Sequence, residues 1–189
     1  PTTSQDTDLI YVLEAAETWV TNCRFDVTSR NAISFVGATA TVKVSDSYFE
    51  NCYLYAVDFE PNSPTTHMYE NVVITGNTFK DNGNHETGDA VWPTSGTGAI
   101  QFSPYGSTTV IIGENVVVSD NIIINTYSHA GVLAPFVKLN YIKSLTVNNN
   151  LFDESDNIQL NAVNTAASDS IVATGNKFHG LVFIGYDTS

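Results

Sequence analysis

The chain repeats one eight-residue phrase six times, and the clearest copy reads Val72-Val73-Ile74-Thr75-Gly76-Asn77-Thr78-Phe79. The other five copies begin at Thr18, Val42, Val116, Leu145 and Ile171. The first and third positions are mostly branched apolar residues, an alternation typical of a β-strand. The sixth position is Asn in four copies, and the eighth is Phe in five. The phrase therefore predicts a short strand, a turn and an inward-facing aromatic residue.

The spacing of the copies indicates a solenoid. They end at Phe25, Phe49, Phe79, Ile123, Phe152 and Phe178, so the intervals are 24, 30, 44, 29 and 26 residues. Repeats of about 20 to 50 residues are typical of solenoids, propellers and arrays. A second alternating motif follows the first five copies, at residues 32–35, 56–59, 99–102, 131–134 and 157–160. Each repeat therefore predicts at least two strands and no helix.

Stacked repeats would place equivalent residues in columns about 4.8 Å apart. We expect one column of Phe, one of Ile and Val, and one of Asn at the turn. A turn Asn tolerates the left-handed backbone conformation. Stacked Asn side chains can also hydrogen-bond to one another along the column. A strand at Leu9–Val12 would complete the first, truncated coil.

This pattern resembles the right-handed parallel β-helix repeats of the pectate-lyase-like superfamily, over roughly residues 9–186. The resemblance implies an all-β fold, a right-handed parallel β-helix of about six coils. It would form a single domain over residues 9–189, after an extended or disordered segment at 1–8, and we expect the chain to be a fragment of a longer one. The superfamily includes polysaccharide lyases, polygalacturonases, tailspike depolymerases and non-enzymatic adhesins. It therefore implies a polysaccharide or cell-surface glycan as partner, an extracellular, cell-surface or virion location, and a homotrimer for a spike.

Composition argues against two classes of partner. The chain has 20 acidic and 7 basic residues, for a net charge of −13. Nucleic acids and anionic membranes both attract Lys and Arg patches, so neither is expected to bind. No apolar run reaches the length of a membrane helix. Such an acidic surface could recruit Ca²⁺, and no other cofactor is indicated.

The two cysteines, Cys23 and Cys52, fall in different columns of the repeat. Cys23 occupies the Asn position of its copy, and Cys52 follows Phe49 by three residues. Free Cys packs as a small apolar residue. Two buried free thiols are therefore favoured over a disulfide.

The departures from the repeat indicate where a functional groove would lie, because insertions in solenoids form loops on one face. The longest irregular stretches are residues 61–69, 80–98 and 127–129. Stacking would bring them beside four outward residues, Ser34, Asp58, Gln101 and Gln159. In pectate-lyase-like enzymes the sugar groove commonly lies along the outward side of one sheet.

That face supplies the residue types that glycan chemistry uses. Glycosidases need two carboxyls, and lyases need a base and a cation. The candidate catalytic residues are Asp58, Glu60, Asp81, Glu86, Asp89, His129 and Asp156. The candidate substrate-binding residues are Arg30 as a lyase-type cation, His85, Trp92, Gln101, Tyr105, Tyr127 and Gln159. Aromatic rings such as that of Trp92 could stack on the C–H faces of sugars.

Two functions follow from these observations. The first is an extracellular glycan-interacting module, tailspike-, fibre- or adhesin-like, with binding and structural roles. The second is a polysaccharide lyase or glycoside hydrolase with its active site on the long-loop face. The chain lacks the adjacent Asp-Asp, the Gly-His-Gly and the Arg-x-Lys of polygalacturonases. The binding module is therefore favoured.

Overall fold

The fold is a tube of stacked β-strands. A computed structural model describes residues 7–62, 64–65, 68–83, 98–102, 110–125, 137–154, 160–164, 168–179 and 182–185. Its strands form three sheets, one of seven strands and two of six, and all pairings between neighbouring strands are parallel. No helix occurs among these residues. This architecture confirms the predicted parallel β-helix of about six coils.

Each complete coil contributes one strand to each sheet. Sheet A contains β1 (Ile10–Val12), β4 (Ile33–Phe35), β7 (Tyr55–Phe59), β10 (Gly98–Phe102), β13 (Val137–Leu139), β16 (Leu160–Asn164) and β19 (Val182–Gly185). Sheet B contains β2 (Ala15–Thr21), β5 (Thr39–Ser45), β8 (Tyr69–Thr75), β11 (Gly113–Ser119), β14 (Ile142–Asn148) and β17 (Ser170–Thr174). Sheet C contains β3 (Arg24–Thr28), β6 (Tyr48–Cys52), β9 (Thr78–Lys80), β12 (Ile122–Asn125), β15 (Leu151–Glu154) and β18 (Lys177–His179).

The repeated phrase spans the corner between sheets B and C. Its first four residues end a sheet B strand, and its last two begin a sheet C strand. The left-handed residue of this corner is the fifth position, not the sixth as expected from the Asn column. That position has φ between 52° and 67° in every coil, at Asn22, Asp46, Gly76, Asp120, Asn149 and Gly175. Asn, Asp and Gly are the residues that adopt this conformation most readily.

The Asn side chains at the sixth position form the predicted ladder. Asn77 Nδ2 donates to Asn121 Oδ1 at 3.1 Å. The same contact, at 3.0 Å, joins Asn121 to Asn150 and Asn150 to Asn176. Each amide also satisfies a backbone group of the neighbouring coil, as when Asn121 Nδ2 donates to Ile74 O at 2.9 Å. The ladder therefore ties four consecutive coils together inside the corner.

Aromatic stacks fill the core of the first coils. Phe25, Phe49 and Phe79 stack with ring centroids 4.8 and 5.0 Å apart. In sheet A, three rings stack in the same way at 4.6 and 4.0 Å, those of Phe35, Phe59 and Phe102. These Phe side chains are buried. The columns expected from the repeat are thus the core of the tube.

Two sheet A strands lie elsewhere than the sequence predicted. The segments expected to form these strands, residues 131–134 and 157–160, lie outside the described residues except for Leu160, and the described sheet A strands of these two coils are β13 and β16. The segment Val137-Lys138-Leu139 has the same alternation of apolar, polar and apolar residues. Burying Val137 and Leu139 satisfies the inward positions equally well, so the motif alone could not choose between the two segments. The consequence is that Lys138 stands next to Gln101 in the sheet.

The cysteines and the first strand test two smaller predictions. Both cysteines are free, but only Cys52 is buried and Cys23 is exposed. The expectation of two buried thiols was therefore wrong for Cys23, which precedes β3, one of the two edge strands of sheet C among the described strands. Strand β1 confirms the predicted strand at Leu9–Val12.

Candidate functional site

A row of polar side chains crosses the outer side of sheet A. Ser34, Asp58, Gln101 and Lys138 are register partners on four successive strands. Their neighbours along each strand, such as Val57 and Phe59, belong to the hydrophobic core. Side chains alternate between the two faces of a strand, so the row points away from the core. We call Ser34, Asp58, Gln101 and Lys138 the outer row.

The outer row is not the open groove that the sequence predicted. Ser34 and Asp58 are each 1% exposed, and Gln101 is 7% exposed. Strands β7 and β10 are buried at every position, so both faces of the sheet are covered there. A buried polar group is costly unless it is hydrogen-bonded. The buried polar atoms of the row are therefore expected to form hydrogen bonds with other protein groups.

Asp58 accepts a hydrogen bond at each carboxylate oxygen. Asn31 Nδ2 donates to Oδ2 at 2.8 Å, and Gln101 Nε2 donates to Oδ1 at 3.0 Å. Asn31 is fixed in turn, because its Oδ1 accepts from the amide of Tyr55 at 2.9 Å. Its Nδ2 also donates to Ser34 Oγ at 3.0 Å. These contacts make Asp58 the centre of a network spanning three coils.

Arg30 links this network to two further carboxylates. Its guanidinium contacts Asp8 Oδ2 at 3.2 Å and Glu60 Oε2 at 3.3 Å. The side chains of Arg30 and Glu60 are 22% and 24% exposed, so this end of the cluster reaches the surface. Asp8 lies in the segment predicted to be extended or disordered, and its Oδ1 accepts from the amide of Asn31 at 3.1 Å. The predicted cation Arg30 therefore pairs with Glu60 and Asp8.

The cluster shifts the pKa values of three of its members. Burial raises the pKa of Asp58 well above its usual range, and the negative charge of Glu60 raises it further. The hydrogen bond from Gln101 acts in the opposite direction and lowers this pKa. Burial also raises the pKa of Glu60, opposed by the charges of Arg30 and Lys138. For Lys138, burial lowers the pKa, and the charges of Asp58 and Glu60 oppose that change. Perturbed groups of this kind are concentrated at functional sites.

This arrangement has the elements of acid–base and sugar-binding chemistry. Asp58 is a carboxyl whose pKa is raised by burial, and Glu60 is a second such carboxyl two residues further along the same segment. Arg30 and Lys138 supply positive charge beside them. Such groups could donate a proton, accept one, or hydrogen-bond to hydroxyls and charged groups of a ligand.

The structure brings together four of the predicted site residues, namely Arg30, Asp58, Glu60 and Gln101. Asp81 lies in the turn after β9, with φ of 52° and its side chain beside Lys80 Nζ at 3.8 Å. It is 4% exposed. The remaining predicted residues fall outside the described part of the chain: His85, Glu86, Asp89, Trp92, Tyr105, Tyr127, His129, Asp156 and Gln159.

Sequence reasoning missed two members of the cluster, Lys138 and Asn31. Lys138 was missed because β13 was expected several residues earlier in the chain. Its signal is the single polar residue between two apolar ones, Val137 and Leu139. Asn31 stands just before the buried strand β4, where a turn residue is expected and a side-chain role is not apparent.

Two features are absent from the described part of the chain. Within the described ranges, no three His, Cys, Asp or Glu side chains are grouped so that they could hold a metal ion. Over the same residues, no helix has the length and hydropathy needed to cross a membrane. The proposed use of Ca²⁺ therefore has no described ligand set to support it.

Comparison with known proteins defines the class of this chain. Residues 3–104, more than half of its 189 residues, match the family described as right handed beta helix region. The chain belongs to this right-handed β-helix family. No curated protein and no solved structure matches the chain significantly. Family membership supports the fold, and function has to be argued from the site.

Proposed function

We propose that this protein is an extracellular glycan-interacting β-helix module with a binding and structural role, like those of tailspikes, fibres and adhesins. The outer row and the adjoining Arg30–Glu60 pair carry the proposal. The residues of the outer row differ from coil to coil, whereas the residues of the core columns repeat. Stacking of the coils does not require this variety, so a ligand is the better reason for it.

The accessible end of the cluster is where a sugar chain would bind. Glu60 and Arg30 are partly exposed, and Lys138 lies in the same electrostatic cluster. Together they offer donors and an acceptor to the hydroxyl groups of a sugar. Asp58 lies behind them and orients Asn31 and Gln101 through its two hydrogen bonds. Pre-ordered polar groups reduce the entropy lost on binding.

Localisation and assembly belong to the same proposal. A module that binds cell-surface glycans acts outside the cell or on a virion, and a net charge of −13 keeps it soluble there. For a spike we propose a homotrimer, whose interfaces should each bury more than about 1,000 Å². Light scattering at high protein concentration tests the assembly. A monomer at every concentration would refute the trimer and leave glycan binding to be judged separately.

One observation favours a second function, a polysaccharide lyase or glycoside hydrolase. Asp58 and Glu60 are neighbouring carboxyls, and burial raises the pKa of both. Glycosidases use two carboxyls about 5 to 10 Å apart, with one protonated as the general acid. Lyases use a base together with positive charge, which Lys138 or Arg30 would supply.

A glycan-array screen followed by a product assay tests both functions. Binding without chain cleavage would support the module, and release of shortened or unsaturated products would support the enzyme. The variant Glu60→Gln should weaken binding about tenfold, as expected for loss of a charged hydrogen bond. Its matched control is Glu114→Gln, because Glu114 is also partly exposed and pairs with a cation, Lys143, on sheet B. Equal binding by both variants would contradict the proposed site.

A further inference from the structure

A second surface feature lies away from sheet A, along the corner between sheets B and C. An open groove of about 470 Å³ crosses the first three coils there. Its lining includes Arg24, Asp46, Tyr48, Gly76 and Thr78. Small-molecule sites in proteins usually have volumes of about 300 to 1,000 Å³. The groove is therefore large enough for a ligand, and it shares no residue with the outer row.

The sequence forms this groove by a change of side-chain size between coils. At the seventh position of the phrase, Arg24 and Tyr48 are followed by the much smaller Thr78. At the fifth position, Asp46 is followed by Gly76, which has no side chain. A Cβ at Gly76 would lie only 2.9 Å from Asp46 Oδ1. The absence of a side chain at Gly76 therefore avoids a steric clash with the Asp46 carboxylate. The third coil thus forms a step beneath the two coils before it.

The groove presents a cation, a carboxylate and an aromatic ring together. The Arg24 guanidinium lies 4.6 Å from the centre of the Tyr48 ring. It also contacts Glu50 Oε2 at 3.1 Å and Asp26 Oδ2 at 3.4 Å. The side chain of Arg24 is 61% exposed, and Asp46 is exposed as well. Arginine placed over an aromatic ring and paired with carboxylates is held in a defined orientation.

We propose that this groove binds a neutral saccharide, as a site separate from the outer row. Asp46 would accept hydrogen bonds from sugar hydroxyls, Arg24 and Thr78 would donate to ring or hydroxyl oxygens, and Tyr48 would supply an apolar edge. A neutral ligand fits better than an anion, because Asp26 and Glu50 already balance the charges of Arg24 and Lys80 in a protein of net charge −13. The class of ligand rests on the proposed glycan function, whereas the location rests on the groove alone.

Two substitutions change the groove while preserving its backbone. Asp46→Asn removes the carboxylate, and Asn occupies the same left-handed position at Asn22 and Asn149. Thr78→Tyr fills the step with a residue type that the same column already carries at Tyr48. Asp120→Asn is the matched control, since Asp120 has the same fifth position and a φ of 57°. It does not line the groove.

The test is binding of the whole chain to an array of neutral oligosaccharides of glucose, galactose, mannose, rhamnose and N-acetylglucosamine. Amide chemical-shift mapping with the oligosaccharide retained most strongly then locates the site. We expect shifts at residues of the groove, an affinity about tenfold lower for Asp46→Asn, and loss of these shifts in Thr78→Tyr. The affinity of Asp120→Asn should equal that of the wild-type protein.

Two results would overturn the inference, and they differ in what they say about the proposed function. Binding that is unchanged by Thr78→Tyr and weakened by Glu60→Gln would refute the groove and support the outer row. Absence of binding to every neutral oligosaccharide would also refute the groove. In that case retention of charged glycans on the array of the first screen would still uphold glycan binding at the outer row.

Discussion

The Asn ladder and the outer row are both columns of polar side chains that run along the tube, yet they are built differently. The ladder contains one residue type on four consecutive coils, and each amide makes the same contacts as the next. The outer row contains four residue types, Ser34, Asp58, Gln101 and Lys138, and their roles differ: Ser34 and Asp58 accept from the Asn31 amide, whereas Gln101 donates to Asp58. The ladder carries no charge, whereas the pKa values of Asp58 and Lys138 are shifted.

This difference separates structural from functional polarity in a solenoid. A column that repeats in every coil satisfies backbone groups that every coil leaves unpaired. A column whose residues change from coil to coil is not explained by the stacking of identical coils, and binding of a ligand that contacts each coil differently would explain it. The repeated columns should therefore control stability, and the outer row should control binding.

The largest stability effect is expected in the repeated Phe column. Phe79 is buried and stacks on Phe49, with ring centroids 5.0 Å apart. Phe79→Ala should lower the free energy of unfolding by about 3 to 5 kcal/mol, measured by urea denaturation. Trp19→Ala is the control, since Trp19 is 67% exposed and should cost about 0.5 kcal/mol or less. A loss below about 1 kcal/mol for Phe79→Ala would contradict the inferred core.

The next effect is expected in the Asn ladder. Asn121→Ala removes the side-chain nitrogen that donates to Ile74 O at 2.9 Å. It also removes the side-chain oxygen that accepts from the backbone N–H of Asn77 at 3.0 Å. Leaving such buried groups unpaired should cost about 2 to 4 kcal/mol in total. The control Asn115→Ala removes an exposed amide whose bond to Asn71 is 3.4 Å long. Its cost should be about 0.5 kcal/mol or less, and equal losses would show that the ladder is not a structural column.

A smaller effect, dependent on pH, is expected at Asp58. Burial raises its pKa in the folded protein above the value of about 3.9 in the unfolded chain. Between these two values the folded state binds more protons, so stability falls as pH rises. Each unit of difference costs about 1.4 kcal/mol once the pH exceeds the folded pKa. Glu60, whose pKa is also raised, contributes in the same direction.

Asp58→Asn should therefore flatten the dependence of unfolding free energy on pH above about 4. The variant can keep the network if the oxygen of the introduced amide accepts from Asn31, while the amide of Gln101 turns over to accept from the introduced nitrogen. The measurement is urea denaturation at several pH values between about 4 and 8. Asn115→Ala, which removes an exposed amide and no titratable group, is a control that should leave the slope unchanged. A variant with the wild-type slope would mean that Asp58 is ionised at little cost.

The fold was predictable from the sequence because its signal repeats. Six copies of one phrase indicate the stacking, the Phe column and the Asn ladder. The position of the left-handed residue was also visible, since Asn, Asp or Gly occupies the fifth position in every copy. It was missed because the neighbouring sixth position, with Asn in four copies, carries the more uniform pattern.

The candidate site was only partly predictable, because it depends on where each insertion ends. Arg30, Asp58, Glu60 and Gln101 follow regular motifs, and the structure brings them together. Lys138 lies in the second of two nearby segments, residues 131–134 and 137–139, and either could have formed the strand from its pattern of apolar residues. Its place in the row therefore could not be deduced from the sequence. Burial of the outer row was likewise unpredictable, since strand periodicity tells which side a residue faces and not whether that side is covered.

The most direct test of the difference between the two columns is to measure, for two variants, both the affinity for the strongest array glycan and the free energy of unfolding. Lys138→Met should weaken binding about tenfold or more and change stability by about 1 kcal/mol or less. Asn121→Ala should lose about 2 to 4 kcal/mol of stability and, where folded, bind with wild-type affinity. If Lys138→Met instead binds as the wild-type protein does, or if Asn121→Ala alone weakens binding, the outer row is structural and the account is wrong.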